Sequence, residues 1–288
     1  MKAVILFLLL FLEVNATSTI NNFTVEHTNH IGDNSKIKNQ SSVKQGQIKI
    51  YNSTIENTTI ISNNEITRSK IENNSQVRQS SVSLTNSSKI KDSTLRLNNR
   101  ISNSKVDNTN IDQSIINLEN SLIDNSTIRI DNVIHKLITE GTQNNIIQAS
   151  IDLNHQSVLN NSTLLLKNTI DNSSLKNSLI SQSELSMSNS SINNSNIKVT
   201  NAIKQNSNIK NNSQLIQGKI IVANGISVNQ ANITIESILE NANVDNSHVN
   251  ICGVNINRDY SDTLSIVCSN NLSEVNQANV TIGMVNIN

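Results

Sequence analysis

Ile48-Lys49-Ile50 is the stretch to read first, because its form keeps returning. Val82-Ser83-Leu84, Ile116-Asn117-Leu118, Ile151-Asp152-Leu153, Leu185-Ser186-Met187, Ile220-Ile221-Val222 and Val254-Asn255-Ile256 repeat the order apolar, variable, apolar. The first residues of successive triplets lie 34 or 35 positions apart. A second, less even series runs through Leu95/Leu97, Ile128/Ile130, Leu164/Leu166, Ile197/Val199, Ile233/Ile235 and Leu264/Ile266. Self-similarity at a fixed period of this size marks a solenoid or array.

Each triplet is a minimal strand. Alternation sends its two apolar side chains to one face and the middle residue to the other. Three residues hold no sheet alone, but stacked copies bury a continuous core. The chain is therefore expected to be all-β, a single elongated parallel β-solenoid with a period of about 34 residues. Ile48, Ile50, Val82, Leu84, Ile116, Leu118, Ile151, Leu153, Leu185, Met187, Ile220, Val222, Val254 and Ile256 should form inward columns, with Lys49, Ser83, Asn117 and Asp152 facing solvent. The presence of two series suggests two coils of about 17 residues per repeat, hence about fourteen coils and a rod of roughly 65 Å.

Composition agrees with stacked strands. Proline is absent from all 288 residues, and aromatics make up only 2%. Proline removes a ladder donor and is excluded from central strands. Asn supplies roughly a fifth of the chain, far above ordinary usage. Asn tolerates left-handed backbone geometry at corners, and its amide can stack in ladders. Lys and Arg number 22, Asp and Glu 22, and no basic stripe gives an electrostatic footprint for nucleic acid.

Residues 1–16 read as a secretory signal: Lys2, an apolar run from Ala3 to Leu12, and a Val14-Asn15-Ala16 cleavage site before Thr17. Residues 17–40 read as an irregular capping segment and 41–288 as the repeat domain, with an excursion near 131–148. There Val133, Leu137 and Ile138 have helical spacing, so a short helix or a bulged loop is expected. No second apolar segment is long enough to span a membrane in the mature chain. Cys252 and Cys268 are either a disulfide, as exported proteins favour, or a small buried residue and a bystander.

The sequence assembles no recognisable site for chemistry. His27, His30, His135 and His155 read as solvated surface residues, because a metal needs three or four converging ligands. Asp245, His248 and Cys252 are close in sequence, but alternation sends His248 outward and Cys252 inward, against nucleophile chemistry. No catalytic, cofactor or metal residues are expected. Ice binding needs a regular Thr face, and Thr is read as failing to follow the period.

Two families share features with these residues. Ser53-Thr54-Ile55-Glu56-Asn57, Ser69-Lys70-Ile71-Glu72-Asn73 and Ser195-Asn196-Ile197-Lys198-Val199 resemble pentapeptide-repeat units, which implies a four-sided β-helix. Two-residue insertions such as Tyr51-Asn52 interrupt the strict five. Val228-Asn229-Gln230-Ala231-Asn232-Ile233-Thr234-Ile235 and its return from Val275 to Ile282 resemble the repeats of Fap and curli functional amyloid subunits. That resemblance implies an exported bacterial fibre or biofilm subunit. The expected function is an exported, non-catalytic structural protein of the cell surface or extracellular matrix, an amyloid-like fibre or adhesin. A carbohydrate-active or ligand-binding β-helix is the first alternative and an ice-binding solenoid the second. Expected partners are further copies, end to end through the uncharged, repeat-like segment 280–288, and a surface or polysaccharide.

Overall fold

Alternation fills the chain, and the computed structural model shows strands wherever it runs. The structure describes residues 11–15, 19–22, 24–32, 35–37, 41–72, 74–205, 207–222, 227–240, 243–245, 247–256, 264–272, 275–276, 279–283 and 285–287. Those residues are strands and tight corners with no helix, and the strand pairings are parallel. The chain winds as a four-sided β-solenoid with two long and two short faces. One coil shows the course. Ser42–Tyr51 lies on the first long face and Thr54–Glu56 on the first short face. Thr59–Thr67 follows on the second long face and Lys70–Ile71 on the second short face. Gln76–Thr85 then returns beside Ser42–Tyr51 to begin the next coil.

The triplets stack in register. Ile48 lies opposite Val82, Val82 opposite Ile116, and the column continues through Ile151, Leu185, Ile220 and Val254. Ile50, Leu84, Leu118, Leu153, Met187, Val222 and Ile256 form the companion column. The members from Ile48 to Ile220 are buried, and nothing exceeds 5% exposure. The side chains of Val222, Val254 and Ile256 lie outside the described residues. The second series occupies the second long face: Leu95, Ile128, Leu164, Ile197 and Ile233 pair in turn. Its last member needs correction, because Ile266, not Leu264, lies opposite Ile233.

One repeat is one coil. The two series are the two long faces of the same turn, and the neighbour above Ile50 is Leu84, not a residue about 17 positions on. Eight strands stack on the second long face. At about 4.8 Å per rung they span roughly 34 Å, about half the expected length.

Corners explain the asparagine. Asn supplies most of the non-glycine residues with positive φ, including Asn57 (49°), Asn125 (44°) and Asn194 (45°). Its short amide tolerates the left-handed conformation that turns a strand onto the next face. A small hydroxyl residue follows and is buried. The Ser93 hydroxyl donates to the Lys91 carbonyl at 2.5 Å, and the Ser93 N–H donates to Ser126 Oγ on the next coil at 3.1 Å. Thr58, Ser126 and Ser162 donate their N–H groups to the next coil's Ser in the same way. The groups freed by turning are thereby satisfied inside the wall.

The stretch from Asp131 to Gln148, expected to leave the rhythm, keeps it. Thr127–His135, Ile138–Glu140 and Asn144–Ile147 are strands in register with both neighbouring coils at most positions. Leu137 fills a corner site that Ser104 and Ser173 hold in adjacent coils, which leaves Ile138 outward and 47% exposed. Segment 17–40, expected to be irregular, contributes in-register strands at Thr19–Asn21, Thr24–Ile31 and Lys36–Ile37. Phe11–Asn15, inside the stretch read as a leader, pairs with Gln47–Tyr51.

Candidate functional site

Inside the core, alternation places more than aliphatic side chains. Three residues before each of the first six triplets on the first long face stands a buried Gln: Gln45, Gln79, Gln113, Gln148, Gln182 and Gln217. Each amide donates to the one below. Gln79 Nε2 reaches Gln45 Oε1 at 3.2 Å, Gln113 reaches Gln79 at 3.1 Å and Gln148 reaches Gln113 at 3.0 Å. Gln182 then reaches Gln148 at 2.8 Å and Gln217 reaches Gln182 at 2.5 Å.

A second buried ladder climbs the second long face. Asn29 Nδ2 donates to Asn64 Oδ1 at 2.7 Å. Asn64, Asn99, Asn132 and Asn168 each donate to the next Asn, ending at Asn201, at 2.9 Å. The ladders meet across the core. Asn99 Nδ2 donates to the Gln113 carbonyl at 2.7 Å, and Gln113 Nε2 donates to the Val133 carbonyl at 3.3 Å. A polar seam thus divides the apolar interior in two. Buried amides are costly unless paired and favourable when the network is complete, so the seam fixes one register.

The seam stops near one end. Asn201 Nδ2, Gln217 Oε1 and Ser237 Oγ are buried without a partner. In the next coil Ile251 stands opposite Gln217, and Ser237 opposite Asn201. There Cys252, fully buried, is joined by a disulfide to Cys268, with Cα atoms 6.3 Å apart. The bond links the first long face to the second across the core.

The candidate histidines are scattered. His27 Nε2 lies 2.7 Å from Asn29 Oδ1, and His135 Nδ1 lies 2.8 Å from Asp171. His30 lies 3.3 Å from Glu65 and His155 4.0 Å from Glu119. His248 is exposed, and Cys252 is spent in the disulfide. Among the described residues no three His, Cys, Asp or Glu side chains gather as a metal set. Nor is any described helix long and apolar enough to cross a membrane.

Outside, the in-register corners leave open grooves along the rod. One, of about 520 Å³, is lined by neutral groups, among them Asn110, Asn145, Asn177 and the 40%-exposed Leu179. Another, of about 580 Å³, runs between the corner holding Arg68 and Lys136 and the second short face. Its floor carries Lys36, Lys70 and Lys105, stacked in register. The Glu72 carboxylate, hydrogen-bonded to the Lys70 ammonium, raises that amine above its ordinary value of 10.5.

Threonine does follow the period, against expectation. Thr24, Thr59, Thr94, Thr127 and Thr163 form one outward column. The outward column beside it holds Glu26, Ile61, Arg96, Arg129 and Leu165, so the face lacks the regular hydroxyl array that ice binding needs.

No protein-family model matches the chain, and no curated protein does. Solved structures overlap it only slightly. A TibC-hyperglycosylated TibA fragment is 13% identical over 90% of this chain and 99% of its own, at a TM-score of 0.12. The A-module of the Azotobacter vinelandii mannuronan C-5 epimerase AlgE6 is 10% identical over 94% and 91%, at 0.14. The Streptococcus pneumoniae surface protein and adhesin PfbA is 8% identical over 84% and 92%, at 0.13. Overlaps this slight decide nothing about function, and the pentapeptide-repeat and Fap/curli likenesses remain resemblances of sequence units.

Proposed function

We propose that the chain is an exported, non-catalytic structural protein, a short stiff rod at a cell surface or in the extracellular matrix, with an adhesin-like role and end-to-end association of rods. The observation that carries this reading is the pair of buried amide ladders. They tie each coil to the next through side chains as well as backbone, and so spend interior volume on rigidity along the axis. Amide stacking of this kind also reinforces strand-on-strand assembly.

The test is expression of the full chain in a secretion-competent host. The extracellular product should begin at Thr17, appear as a rod by atomic force microscopy, and give fibres with a thioflavin T response at high concentration. Retention in the cell with an uncut N-terminus removes the export reading. A rod that stays monomeric by sedimentation, without dye response, removes self-association and leaves an adhesin-like spacer. Turnover of a polysaccharide by the purified rod removes the non-catalytic reading.

A further inference from the structure

The basic groove beside the second short face has the features of a ligand site. Lys36, Lys70 and Lys105 repeat at one rung spacing, about 4.8 Å. Arg68 and Lys136 add cations from the left-handed corner, at φ 48° and 52°. Cations therefore recur in four successive coils, in a chain whose net charge is zero. The short face's other outward column carries Glu72, Asp107 and Glu140. Lys70 pairs with Glu72, and Lys105 with Glu140. Each ammonium has three donors, so one carboxylate from the neighbouring column engages one of them and leaves the others for a ligand. The lysine column ends at Ile138, whose 47% exposure offers an apolar patch.

We infer that this groove binds an extended anionic glycan lying along the rod. Regularly spaced cations match a regularly charged linear polymer, the exposed Asn103 amide suits sugar hydroxyls, and Ile138 suits the apolar face of a sugar ring. A single-stranded nucleic acid fits less well, because the described lining residues include no aromatic side chain on which bases stack. The inference stands on the groove alone and holds whether or not rods are exported or associate.

The test uses the purified full chain and fluorescent polygalacturonate, read by anisotropy, with neutral dextran and oligodeoxythymidylate as comparison polymers. Polygalacturonate should bind at low salt and weaken at least tenfold at about 0.5 M salt, where the Debye length is a few ångströms. The groove variant Lys36→Gln/Lys70→Gln/Lys105→Gln/Lys136→Asn should lose at least tenfold in affinity. A charge-matched variant on the second long face, Arg96→Gln/Arg129→Gln/Lys167→Gln/Lys198→Gln, should stay within twofold. Should the groove variant fail to fold, Lys36→Gln/Lys136→Asn leaves both ion pairs intact and should lose at least threefold. Equal losses on the two faces, no binding by the unaltered chain, dextran binding as tight as polygalacturonate, or tighter binding of the oligonucleotide would each overturn the assignment.

Discussion

The same chemical change should have opposite consequences at two asparagines. Asn117 is the middle residue of a triplet and points outward from the first long face. Asn132 is fully buried in the seam. Its Oδ1 accepts from Asn99 Nδ2 at 2.9 Å and from Ser114 Oγ at 3.0 Å. Its Nδ2 donates to Asn168 Oδ1 at 2.9 Å and to the Gln148 carbonyl. Replacing it by Asp keeps the shape and the two accepting contacts. It turns the two donated bonds into carboxylate oxygen against amide and carbonyl oxygen. Each orphaned buried acceptor costs roughly 1–3 kcal/mol, so the two lost bonds alone predict about 4 kcal/mol. Asn117→Asp should stay within about 0.5 kcal/mol, as exposed substitutions do. Urea unfolding followed by circular dichroism at pH 7 measures both. The pH dependence checks the cause. Burial without a counter-charge raises the folded-state pKa of the new carboxyl above the unfolded value of about 3.9. The loss should therefore be smallest below that value, where the protonated acid can donate to Asn168, and should grow as pH rises. A difference between the two variants of under about 1 kcal/mol would refute the seam as a source of stability.

Ile116→Asp should cost more than any exposed change, because it puts an unpaired charge into a dry column; loss of the cooperative circular dichroism transition is the expected readout. Reducing the Cys252–Cys268 disulfide, which closes a separation of 16 residues, should cost about 3 kcal/mol locally, seen as faster hydrogen exchange in His248–Ile256 and Leu264–Leu272 with the coils around Ile116 unchanged. Gly218→Ala should destabilise by about 1–2 kcal/mol in thermal melts, since φ is +77° and a Cβ would lie 2.6 Å from Ile235 Cγ2. An unchanged melting temperature would show that the wall yields there.

Period and facing were legible because a strand announces its inside and outside at every second residue. Ile48, Val82 and Ile116 needed only alternation and spacing to be placed in one column. The number of coils was not legible. Ile60 on the second long face sits across the core from the triplet of its own coil, and the two long faces have the same aliphatic texture. A half-turn therefore looks like a full one until backbone pairing is known. The helix expected near Val133 failed for a related reason. Leu137 took a corner site meant for a small hydroxyl residue, and that single exchange mimicked helical spacing.

The seam was hidden by abundance. Asn serves at corners, on outer faces and in the core, so composition cannot say which asparagines are buried. Position can: Gln stands three residues before the triplet in six successive coils, and Asn stands two residues after Leu97, Ile130, Leu166 and Val199. That regularity also answers how coils of unequal length stay aligned. The second-long-face partners of one column are separated by 33 residues in one coil and 36 in the next, as Leu95, Ile128 and Leu164 show. Aliphatic columns tolerate a slip that exchanges one Ile for another two residues on, whereas a slipped amide ladder strands several buried donors at once. The ladders hold the register that the insertions would otherwise loosen. Where Ile251 and Ser237 end them, the covalent Cys252–Cys268 link crosses the core instead and fixes the two long faces against each other.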